Sequence, residues 1–128
     1  MYERILVGVG KTEPSQRAVD VAIDLAERYG AALHLVTVFD RSGGPAGHNP
    51  RDEAEGRLAS LQAGTSVVTH IHVLPGDAAE GLLKVAEEVK ADLVVVGNQG
   101  MQRRILGSVP NKVAHGAGRS VLIVDTTS

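Results

Sequence analysis

Two hydrophobic periods alternate along the chain. Short runs dominated by apolar and β-branched residues stand at Ile5-Leu6-Val7, Leu33 to Val38 and Leu93-Val94-Val95-Val96, and between them apolar residues recur every three or four positions. The first pattern is that of a strand buried on both faces, the second that of a helix with one face on a sheet. A first strand is therefore expected over 4–9. A helix starts at Thr12-Glu13-Pro14, where proline is tolerated because a first-turn N–H has no partner anyway. Its stripe is Ala18, Ala22, Ala26 and Tyr29 beside Val19 and Ile23, and Gly30 is its C-cap.

A second strand over Ala32–Phe39 leads into residues 40–48, where Gly43, Gly44, Pro45 and Gly47 favour a mobile loop, either a lid or a surface loop without a role. Asn49-Pro50 is an N-cap followed by a first-turn proline, and opens a helix with a thin apolar face of Ala54, Leu58 and Leu61. A third strand is expected over 66–74. His70 and His72 share one of its faces, but two imidazoles are short of the three or four ligands of a metal site, so they read as a half-exposed strand face. Asp77-Ala78-Ala79-Glu80 has the capping-box spacing and starts a helix with the stripe Ala78, Leu82, Ala86 and Val89, with Leu83 and Val85 at its margins. Asp92 begins the fourth strand, a short helix is expected over 110–115, and Ser120 to Val124 is the last strand. Strands alternating with helices require a parallel sheet with helices on both faces, because parallel neighbours need long crossovers. Five strands and four helices make one doubly wound α/β domain over residues 1–128, whose ligand cleft lies at the carboxyl ends of the strands, between the first and the fourth.

Composition narrows the partners. The chain is 43% hydrophobic and 22% charged with a net charge of −2, as for a folded domain with no global pull toward nucleic acid or an anionic membrane. Two tyrosines and one phenylalanine leave little with which to stack bases. The absence of cysteine excludes disulfides, thiolate metal sites and thiol nucleophiles. No run approaches the ~20 residues of a membrane span and no signal-peptide pattern opens the chain, so a cytoplasmic protein is expected.

The candidate chemistry lies after the fourth strand, in GNQGMQRRILGSVPNKV from Gly97 to Val113. Gly97, Gly100 and Gly107 let backbone N–H groups approach a ligand, and a helix start after Ser108 adds unpaired donors and partial positive charge, a combination that favours phosphate. Arg103 and Arg104 suit the same anion, although a solvated surface pair would look alike. A glycine-rich turn also serves chain geometry alone, so the motif is weak by itself. Gly10-Lys11-Thr12 resembles the tail of a P-loop, but the leading glycine of that motif would fall on Ile5. Val9 and Gly10 likewise stand where a phosphoacceptor receiver needs acidic residues. Ser108 and His115 are seven residues apart, about 10 Å along a helix, and form no catalytic pair.

Over nearly its full length the chain resembles the universal stress proteins of the UspA-like family. The resemblance is carried by ILVGV at 5–9, TEPS at 12–15, GDAAEGLLKVAEEVKADLVVVGNQG at 76–100 and GNQGMQRRILGSVPNKVAHGAGRSVLIV at 97–124. It implies strand order 3-2-1-4-5 in an adenine nucleotide alpha hydrolase-like fold and membership of the nucleotide-binding subgroup. Gly97, Asn98, Gln99, Gly100, Arg103, Arg104, Gly107, Ser108 and Val109 would then surround the phosphates. Gly8, Val9 and Gly10 would face the base and ribose, with Lys11 and Thr12 at the rim and Val38 lining the adenine pocket. Two departures bear on the ligand. Gly10 stands where the family's nucleotide-binding form has a ribose-contacting aspartate, leaving that contact to Lys11, Thr12 or water. Only six residues, 101–106, separate Gly100 from Gly107, shorter than the family pattern by about one turn of helix (~3.6 residues).

The ligand implied is ATP, with AMP and cyclic AMP as alternatives and Mg accompanying a triphosphate. The function classes are a nucleotide-binding stress or signalling protein, a slow ATP hydrolase and a ligand-free interaction scaffold. The family order also makes Ser120 to Val124 an apolar edge strand, through which a homodimer is expected.

Overall fold

The computed structural model describes residues 2–10, 13–39, 49–97 and 119–124. Among these, the chain forms β1 (Arg4–Gly8), α1 (Glu13–Tyr29), β2 (Ala32–Phe39), α2 (Pro50–Ala63), β3 (Thr69–Pro75), α3 (Ala78–Val89), β4 (Leu93–Gly97) and β5 (Ser120–Val124). All five strands are parallel, in the order β3-β2-β1-β4-β5. This is the doubly wound sheet and strand order expected. The loop at 40–48 and the short helix at 110–115 lie outside the described residues.

Alternation along the strands divides the core into two layers. Ile5, Val7, Leu33, Leu35, Leu93 and Val95 face α1 and α2, where Ala18, Val19, Ala22, Ala26 and Leu58 close on them. Leu6, Val36, Val94 and Val96 face the other way, onto Leu82, Val85 and Ala86 of α3. The small residues of α1 let that helix lie close to the sheet. Two positions depart from the expected stripes. Tyr29 is 43% exposed, its ring set edge-on to Tyr2 at 5.4 Å, because it follows the last turn that covers the sheet. Val85, expected at a margin, is fully buried at the centre of the α3 layer.

The caps follow the sequence signals. Asn49 accepts hydrogen bonds from the Arg51 and Asp52 amides at 3.0 and 3.4 Å. The Asp77 carboxylate accepts from the Glu80 amide at 3.0 Å. At the end of α1, Gly30 takes φ +66° and the Ala31 amide donates to the Ala26 carbonyl at 2.9 Å. α3 ends in the same way, with Ala91 donating to Ala86 at 2.9 Å. There the left-handed position is held by Lys90, φ 57°, a conformation that costs a side-chain-bearing residue more than glycine.

β3 starts three residues later than expected. The Thr65 hydroxyl accepts from the Val67 amide at 3.2 Å, a local bond that competes with strand pairing at 65–67, and the contact with β2 begins at the Val68 carbonyl, which accepts from the Leu33 amide at 2.9 Å. Side-chain ties from neighbouring elements fix the strand starts instead. The Asp92 carboxylate accepts from the Glu3 and Arg4 amides at 2.9 and 3.1 Å, and the Gln62 amide donates to the Thr69 carbonyl at 2.8 Å.

Candidate functional site

β1 sends its crossover toward β2 on one side, and β4 sends the chain toward β5 on the other. The strand order thus reverses between β1 and β4, the place where a sheet of this kind borders a ligand crevice at the carboxyl ends of its strands. Both strands end on glycine, Gly8 half-buried and Gly97 buried. The last paired position is Val7 with Val95, so Val9 and Gly97 lie two residues beyond it on the same edge.

β2 supplies the second wall. Gly8 pairs with Val36, which brings Val38 level with Gly10. Val9 is buried and bound into β2 by both backbone groups: its amide donates to the Val36 carbonyl at 2.8 Å, and its carbonyl accepts from the Thr37 hydroxyl at 3.0 Å. Val9 is therefore a fixed point of the edge, its side chain in the α1/α2 layer and its N–H already engaged. Val38 is half-buried beside Leu74 and the α3 layer. A Cβ placed on Gly81 of α3 would stand 2.6 Å from Val38 Cγ2, so glycine there is what allows α3 and β2 to approach. Farther along the edge, the Gly76 amide donates to the Phe39 carbonyl at 3.0 Å, and the Arg51 guanidinium stands 5.2 Å from the centre of the Phe39 ring.

Of the residues expected at the site, the structure brings Gly8, Val9, Gly10, Val38 and Gly97 to one edge of the sheet. Lys11, Thr12, Asn98, Gln99, Gly100, Arg103, Arg104, Gly107, Ser108 and Val109 lie outside the described residues. The strand ends Gly8-Val9-Gly10, Thr37-Val38-Phe39 and Gly97 carry no titratable side chain. This part of the crevice can shape and bind a ligand, but holds nothing that moves a proton. Gly81 escaped the sequence reading, although a glycine inside a helical pattern, next to the stripe that faces the sheet, is a signal of close approach.

A second cluster lies toward the amino ends of β2 and β3. His34, which the sequence reading passed over, is 8% exposed and pairs in register with His70. Its Nδ1 is 3.0 Å from His72 Nε2. The His70 ring stacks on it, with centroids 4.9 Å apart and planes 20° apart. Burial holds the His34 imidazole down at about 4, and His72, His70 and Arg4 add to the effect. His72 is also lowered, by burial and by His70, against an opposing pull from Glu88. Among the described residues no group of three or more His, Cys, Asp or Glu is arranged to hold a metal ion.

The family model for the universal stress protein family matches residues 1–125, and the chain belongs to that family. It is 32% identical to a universal stress protein of Mycobacterium tuberculosis, with 98% of each chain covered. Their alignment runs over 145 positions against 128 residues here, so the relative carries insertions that this chain lacks. Among solved structures, a universal stress family protein of Burkholderia pseudomallei superposes with a TM-score of 0.75 at 26% identity, covering 96% of each chain. A universal stress protein solved in complex with cAMP matches at 32% identity and a TM-score of 0.67, over 98% of this chain and 99% of that one.

Proposed function

We propose that this protein binds an adenine nucleotide in the crevice between the ends of β1 and β4, and acts as a nucleotide-responsive stress or signalling protein. The observation that carries this reading is the meeting of two glycine-ended strands at the point where the strand order reverses. The relative of 32% identity solved with cAMP supports the adenine class. In this reading the backbone around Val9 and Gly10 faces the base and ribose, with Val38 lining the adenine pocket and Lys11 and Thr12 at the rim. The phosphates meet the backbone of Gly97, Asn98, Gln99, Gly100, Gly107, Ser108 and Val109, with Arg103 and Arg104 adding charge. Mg enters with a triphosphate, not as a protein-held ion. The glycine at position 10 favours a second reading, an interaction scaffold without ligand, because no carboxylate there can hold a ribose. Slow ATP hydrolysis is the weaker alternative, since the described strand ends supply no acid or base.

Calorimetric titration of ATP, AMP and cyclic AMP separates these readings. At least one nucleotide is expected to bind. Gly100→Val should weaken it most, by placing a branched side chain where an N–H must approach phosphate. Ser108→Ala should cost one hydrogen bond to a charged oxygen, roughly 10- to 150-fold in affinity, and Lys11→Ala least. No binding by the unmodified protein would leave the scaffold reading.

The same proposal includes a homodimer through β5. That strand is the outermost of the sheet, with Leu122 37% and Ile123 46% exposed, and antiparallel pairing about a two-fold axis would cover its free edge. Sedimentation at micromolar concentration should show a dimer that Val121→Lys with Ile123→Pro converts to a folded monomer. A monomeric unmodified protein, or a folded double variant that stays dimeric, defeats the idea.

A further inference from the structure

We infer that His34, His70 and His72 form an acid-sensitive latch holding the edge strand β3 onto β2: the neutral rings keep β3 docked, and proton uptake releases it. The latch stands on geometry. His34 is central, facing His70 directly across the ladder and reaching His72 one step farther on, where His72 pairs with Val36. The 3.0 Å contact between His34 Nδ1 and His72 Nε2 needs one nitrogen to carry a hydrogen and the other a free lone pair. One proton added to the pair leaves that bond intact. A second puts N–H on both nitrogens, and the contact becomes a repulsion between two imidazolium ions. Charge on His70, stacked face to face on His34 at 4.9 Å, adds to it.

Among the described residues, the charged groups facing the cluster are Arg4 from β1, which opposes further positive charge on His34, and Glu88 from α3, which favours charge on His72. On the opposite face of β3, α2 contributes the neutral Gln62 contact to Thr69. One carboxylate therefore stands against three imidazoles and a guanidinium, and it cannot neutralise a fully protonated cluster.

The direction with pH follows. Both His34 and His72 protonate less readily in the docked state than the ordinary value of 6.5, so docking is fully favoured above 6.5. It weakens as pH falls toward about 4, because the released state binds protons that the docked state refuses. β3 is where that strain can be relieved locally. It has one sheet neighbour, β2, whereas β1 and β4 are paired on both sides, and an edge element opens at lower free energy than the centre.

Amide hydrogen exchange followed by NMR, converted to protection factors at each pH, tests the latch. A ring that charges only in the released state raises the opening equilibrium about 30-fold at pH 5. Between pH 7 and pH 5 the amides joining β2 and β3 are expected to lose at least ~10-fold protection while those joining β1 and β4 hold. In His34→Gln/His72→Gln the loss should shrink below ~3-fold. Unchanged β3 protection down to pH 5, an equal loss in every strand, or the same loss in the folded double variant would overturn the latch. If that variant does not fold, the imidazole nitrogen shifts of the unmodified protein decide. At most one of His34 and His72 should carry charge while β3 stays protected. Both rings charged at pH 6 with β3 protection intact would refute the inference.

Discussion

Leu6→Ala is expected to destabilise the protein by about 3–5 kcal/mol, roughly a fifth or more of the stability of an ordinary domain. Leu6 is fully buried on the central strand, and its side chain is enclosed by Val36 and Val94 from the flanking strands and by Leu82, Val85 and Ala86 from α3. Burying a leucine contributes roughly 1.5–3 kcal/mol by transfer alone. The remainder depends on how far the surroundings collapse into the vacated space. Here they can collapse little, because the backbone at Leu6 is held on both sides, in register with His34 of β2 and Val94 of β4. The cost should therefore fall in the upper part of the range. Urea denaturation measures it, with Ile71→Ala, at an exposed position of β3, as a comparison expected to lose less than ~1 kcal/mol. A loss at Leu6 no larger than that at Ile71 would contradict the two-layer core.

Gly81→Val should both destabilise the fold and damage the proposed base pocket. A Cβ at position 81 already meets Val38 Cγ2 at 2.6 Å, and the valine methyls extend farther. Val38 is β-branched and stiff at χ1, so the strain passes to the spacing between α3 and β2. Overpacking of this kind costs about 1–3 kcal/mol, against a helix-propensity gain over glycine of less than ~1 kcal/mol. The net effect is therefore destabilising. Because the side chain that must yield is the one assigned to the adenine, nucleotide affinity should fall at least ~10-fold in variant protein that remains folded. Gly56→Val, at an open exposed position of α2, serves as the control and should leave affinity unchanged. Unaltered nucleotide binding by folded Gly81→Val would remove Val38 from the pocket.

Legibility in the sequence followed burial. β4 is apolar on both faces and β2 is so except at His34 and Thr37, so their extents stand out, and their alternation with the stripes of α1 and α3 made the parallel sheet readable. The start of β3 was harder. Ser66, Val67 and Val68 suit a strand as residues, but the Val67 amide is taken by the Thr65 hydroxyl, and contact with β2 begins only at the Val68 carbonyl. Val85 falls at the margin of a stripe of one residue per turn, whereas a helix packed on β1, β2 and β3 buries a wider arc. At the site, Gly8, Val9, Gly10, Val38 and Gly97 were legible as the ends of recognisable strands. His34 was not, since His34 and His70 are 36 positions apart and meet only through strand pairing.

The place of β1 in the sheet has a consequence for how the chain is made. β1 is first in sequence and central in space, and its two partners are synthesised far apart in time. β2 is complete at Phe39, but β4 is complete only at Gly97. At about 5–20 residues per second, a ribosome leaves β1 paired on one side for roughly 3–12 seconds. During that interval the edge beside Ile5, Leu6 and Val7 is an open, wholly apolar template. The nascent half-sheet is thus most vulnerable along the seam that later becomes the β1–β4 ladder, and a molecule that shields exposed strands during synthesis would act there first.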